Sequence, residues 1–91
     1  MPTPLFPPTA VSAPEDETLT DYDREHLIVY LRLLDAAADD ADWREVARLV
    51  LQLDPDTDAA GAHYTWDSHL RRARWMSQSG YRHLLTEPPS A

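Results

Sequence analysis

The chain has no cysteine and no lysine, and only two of its 91 residues are glycine. Without cysteine there is no disulfide, no zinc–thiolate site and no thiol nucleophile, which fits a cytoplasmic protein. Two glycines cannot build a phosphate-cradling loop. No apolar run is long enough to span a bilayer, and no basic start followed by an apolar stretch marks a secretory signal. All eight basic residues are Arg and they face sixteen acids, a net charge of −8. Such a chain is repelled at long range by the dense negative charge of duplex DNA. The charge is also uneven. Residues 1–57 hold most of the acids, whereas residues 58–83 set Asp58 and Asp67 against Arg71, Arg72, Arg74 and Arg82.

Five prolines crowd the first fourteen positions. Proline fixes φ and removes an amide donor, so residues 1–19 are expected to form a disordered tail. A docking segment around Leu5 and Phe6 is the alternative. Residues 20–85 carry the domain, and residues 86–91 are a second loose end.

Helical periodicity runs through residues 20–85, and no strand-like alternation occurs. The fold class is all-α: a small three-helix, helix-turn-helix-like domain with a short C-terminal turn. Thr20 is the N-cap of the first helix, with Asp23 returning the bond as in a capping box. Leu27, Tyr30, Leu31 and Leu34 form its core stripe. Tyr22, His26, Val29 and Leu33 form a second stripe, so this helix is either sandwiched in the core or partly exposed for a partner, with Tyr22, Val29 and Leu33 as the face a homodimer would use. Asp39–Asp42 make a turn, and Asp42 caps the second helix with Glu45 at the third position. Trp43, Val46, Ala47, Val50 and Leu53 line its inner face, and Asp54-Pro55 closes it. The third helix runs from Ala59 to about Ser79, capped by Asp58 and ended by Gly80 in a left-handed conformation. Ala62, Trp66, His69, Leu70, Ala73 and Met76 face inward. Residues 81–85, YRHLL, tuck under the bundle.

No catalytic constellation is visible. Asp67, Ser68 and His69 are contiguous on one helix, so their side chains diverge, whereas a triad converges from separate elements. His63 and His69 are six apart, a poor spacing for metal ligands on a helix. The acidic run at Asp39–Asp42 lacks the alternating ligands and glycine of a calcium loop. No metal, cofactor or enzymatic activity is expected.

Two binding surfaces compete. Tyr64, Ser68, Arg71, Trp75 and Gln78 stand outward if Trp66, Leu70 and Ala73 stand inward. Aromatic residues and Arg dominate protein interface hot spots. The alternative packs Trp75 into the core. In either case Arg71, one turn before Trp75, can stack on its indole. The second surface is Arg71, Arg72 and Arg74 on phosphate or guanine, as in a helix-turn-helix reader. Against it, the N-terminal half of that helix has no Arg or Lys.

The strings Thr20-Asp21-Tyr22-Asp23-Arg24-Glu25-His26-Leu27, Ala41-Asp42-Trp43-Arg44-Glu45-Val46-Ala47-Arg48, Ser68-His69-Leu70 to Trp75-Met76, and Gly80-Tyr81-Arg82-His83-Leu84-Leu85 carry a resemblance. Over roughly residues 19–85 the chain resembles a helix-turn-helix-like domain of alphaproteobacterial transcription regulators. That domain also occurs alone, behind a Pro-rich leader, in QseM-type antiactivators of symbiosis-island transfer. The resemblance implies a protein that binds and silences transcription activators, of the LuxR/TraR quorum-sensing type or the FseA excision-activator type, and so represses excision and transfer of an integrative and conjugative element. Separately, the net charge disfavours DNA as a partner, the short apolar runs argue against a membrane, and a monomer is expected.

Overall fold

A computed structural model describes residues 9–80 of the chain. All regular structure among these residues is helical: α1 (Asp21–Glu25), α2 (Leu27–Ala38), α3 (Trp43–Leu49) and α4 (Ala59–Trp75), followed by a π-helical turn, Met76–Gly80. The expected first helix is therefore two. His26 sits at φ −110°, ψ 20°, and its Nδ1–H donates to the Tyr22 carbonyl 2.7 Å away. The His26 backbone leaves the helical region there, ending α1 before α2 begins.

The helix starts follow from capping chemistry. The Thr20 hydroxyl accepts from the Asp23 amide, and the Asp23 carboxylate accepts from the Thr20 amide, a complete capping box. Asp42 accepts from the Arg44 amide, and Asp58 from the Gly61 amide at 2.9 Å. A Cβ at Gly61 would press on the Asp58 carboxylate, so a larger residue there shifts the capping side chain.

The α3 end falls earlier than Asp54-Pro55. The Leu53 amide donates to the Ala47 carbonyl while Gln52 takes φ 57°. This is a Schellman-like closure with Gln52 in the seat glycine usually fills. Asp54 instead organises the following loop, accepting from the Thr57 hydroxyl at 2.6 Å and the Asp56 amide at 3.1 Å. At the end of α4, Gly80 closes the π-helical turn, and no described glycine has positive φ.

The core is built from Leu19, Val29, Tyr30, Leu33, Val46, Leu51, Leu70, Ala73 and Met76, with α4 packed across both α2 and α3. Two expectations on α2 are corrected. Leu31 was assigned inward and is exposed, because Val29, Tyr30 and Leu33 together turn the opposite arc toward α4. For the same reason Val29 and Leu33 cannot form a homodimer contact. Of the inward set on α4, Ala62, His69, Leu70, Ala73 and Met76 are buried and Trp66 is half-buried.

Residues 9–20 have no regular secondary structure, as their composition requires, yet they lie along α4 as an extended arm. Ala13 and Leu19 are buried there. Leu5, Phe6 and residues 81–91 fall outside the described residues.

Candidate nucleic-acid interface

The arm is held to the helices by two polar clusters, and these decide which side chains of α4 remain at the surface. The first centres on Asp23, which has no solvent exposure. Its carboxylate takes both arms of the Arg72 guanidinium, Nη2 at 2.6 Å and Nε at 3.0 Å, and the Tyr30 hydroxyl at 2.7 Å. Two further Arg72 protons go to arm carbonyls, Nη1 to Asp16 at 2.6 Å and Nη2 also to Thr18 at 3.0 Å. The guanidinium also lies 3.9 Å from the centre of the Trp75 ring. Burial alone pushes a carboxyl pKa up. Here it is outweighed by the hydrogen bonds from Arg72, Thr20 and Tyr30, which hold Asp23 at about 2. Burial acts against the Arg72 cation too, and the Asp23 carboxylate more than compensates, so its pKa is raised.

The second cluster is neutral. His69 is fully buried, and burial lowers its pKa. Its Nδ1 lies 2.7 Å from the Thr65 carbonyl, so the proton sits on Nδ1 and Nε2 accepts from the Tyr22 hydroxyl. The same hydroxyl accepts from the Ala10 amide at 3.0 Å. Beside it the Ser68 hydroxyl accepts from the Ala13 amide at 3.1 Å and donates to the Thr65 carbonyl. Tyr22 stacks on His26 with ring centres 3.8 Å apart.

These contacts sort the candidate residues. Ser68 is buried beneath the arm instead of standing outward. Trp75 is half-buried, and the cation on its face comes from Arg72 rather than Arg71. Arg72 is 5 % exposed with its donors engaged internally, so it is out of reach of an external phosphate. Tyr64, Arg71, Arg74 and Gln78 are exposed. With His63 and the half-buried Asp67 they form one polar stripe along the outer side of α4, at the three- and four-residue spacing that keeps side chains on one helix face. Arg71 pairs with Asp67 at 3.0 Å across one turn, a solvent-exposed bridge that costs little to exchange.

Arg74 faces a hollow of about 370 Å³ shared with Trp43, Trp66, Asp40 and Asp42. Trp43, His63 and Trp66 form an aromatic cluster that ties α3 to α4 and holds the helix from its other flank. Helical periodicity places Trp43 and Trp66 inward; their contact with His63 depends on how α3 crosses α4, which no local pattern encodes.

Residues 5–86 match the family described as T6SS, transcription factor, DNA binding domain, RovC_DNA-bd. The chain belongs to this family. The match covers nearly the whole sequence, and the family is one of transcription-factor domains rather than of enzymes. It establishes the regulatory, helix-turn-helix-like character expected from the sequence. A comparison with curated proteins finds no match. No helix among the described residues is long and apolar enough to cross a membrane.

Proposed function

We propose that this protein is a cytoplasmic, DNA-binding transcription regulator that engages duplex DNA through the outer face of α4, with Arg71 and Arg74 as the phosphate or guanine contacts. The observation that carries the reading is the polar stripe His63, Tyr64, Asp67, Arg71 and Arg74 on the 17-residue α4, continued by Gln78 in the π-helical turn. Membership of a DNA-binding-domain family supports it. A helix of this length, about 1.5 Å per residue, fits in the major groove, where Arg, Gln and Tyr side chains can meet phosphates and base edges. Arg72 takes no part, since it holds the arm.

Binding through two arginines has a defined signature. Each neutralised phosphate releases counterions, so log K should fall with log salt with a slope of about −2. Fluorescence anisotropy of a labelled duplex over a salt series measures it. Binding that is absent at low salt, or present and insensitive to salt, contradicts the reading.

A second reading is favoured by a different observation. The net charge of −8 and the exposed Ile28 and Leu31, beside an apolar hollow of about 270 Å³ between α2 and the end of α4, suit a protein partner better than DNA. In that reading the domain is a monomeric antiactivator of the QseM type. It would sequester a TraR-type or FseA-type activator and so repress conjugative-element excision and transfer. Tyr64 and Trp75 would belong to the contact.

A further inference from the structure

We propose that the acidic stretch Glu15-Asp16-Glu17 is a built-in competitor for phosphate, which lowers the affinity of α4 for DNA. This inference rests on the DNA-binding reading above. The arm's anchors are the backbone groups Ala13 N–H, Asp16 C=O and Thr18 C=O, bonded to Ser68 and Arg72. Those bonds would form with any side chains at positions 15–17. The three carboxylates are therefore free of anchoring duty, and all three residues are exposed.

Their location gives them a different role. Glu15 lines a hollow of about 190 Å³ together with Arg71, Arg72 and Trp75, on the flank of the proposed groove-facing stripe. Asp16 is close enough to add to the raised pKa of Arg72. The Glu15 charge is thus placed beside Arg71, with Asp16 near Arg72 and Glu17 next in the arm, on the side where a DNA phosphate would approach. Their field acts over the Debye length, about 8 Å at physiological salt. Arg74 lies on the other flank, with Trp43 and Trp66, and is not shared with the arm.

The test compares two triple variants of the full chain with the same change in net charge. One is Glu15→Gln, Asp16→Asn, Glu17→Gln. The control is Glu25→Gln, Asp35→Asn, Asp39→Asn, three exposed acids of α1, α2 and the following turn. Duplex affinity is measured for both at low and high salt, with circular dichroism to confirm the fold. The arm variant should bind about tenfold tighter than the parent at low salt. The control should gain much less, and the arm effect should shrink at high salt and in an Arg71→Ala background. Equal gains in both triples would mean that only net charge matters and would overturn the inference while leaving DNA binding intact. No binding by any variant would overturn the DNA-binding reading and the inference with it.

Discussion

Replacing Arg72 with Ala is expected to cost about 3–5 kcal/mol of folding stability, the range for removing one partner of a buried ion pair. The substitution strands the Asp23 carboxylate, which has no solvent exposure, and removes the donors that hold the Asp16 and Thr18 carbonyls. In a domain this small that is a large share of total stability, and each kcal/mol lowers Tm by roughly 4–8 °C. Asp23→Asn should be damaging for the converse reason, leaving a buried guanidinium without its counter-charge. Urea unfolding followed by tryptophan fluorescence measures both. A loss below about 1 kcal/mol, the ceiling for a solvated surface pair, would mean that Arg72 is not buried as described.

The same pair sets the acid response. Asp23 has a folded pKa of about 2 against an ordinary 3.8, so the unfolded chain takes up that proton first as pH falls. Its stabilisation is complete above about pH 4 and is lost as pH drops through about 2.

The second large effect concerns binding. Arg71→Ala with Arg74→Ala is expected to leave the fold intact, because both side chains are exposed and neither closes a buried cluster. Duplex affinity should nonetheless fall by about tenfold or more at low salt, and the salt slope should lose about two units, one for each phosphate contact removed. Arg48→Ala is the matched control, since that side chain lies on α3 and pairs with Asp56 at 3.0 Å. If Arg48→Ala weakens DNA binding as much as the pair on α4, the reading helix is misassigned.

The three helical segments, their caps at Thr20, Asp42 and Asp58, and the inward face of α4 were legible because capping and 3.6-residue periodicity are local properties. The break at His26 was not, since no cap, glycine or proline at that position marks a departure from helical backbone. The arm on α4 was also hidden. Its anchors are backbone amides and carbonyls, which every sequence has, so no side-chain pattern announces it. Arg72 was the one missed signal. It falls at the i, i+3, i+4, i+7 spacing of His69, Arg72, Ala73 and Met76, the inward stripe. A charged residue on a core stripe calls for a buried counter-charge, and Asp23 supplies it. Ser68 followed the same error, because a surface left bare by three helices is covered by a segment outside them.

Whether α4 meets DNA with its outer face is read out by an amide-resolved NMR titration of the full chain with a short duplex at low salt. The expected result is a set of shifts concentrated on His63 to Gln78, extending to arm residues 13–18 and reversed by salt. A spectrum that stays unchanged, or shifts confined to the Ile28 and Leu31 face of α2, would contradict it.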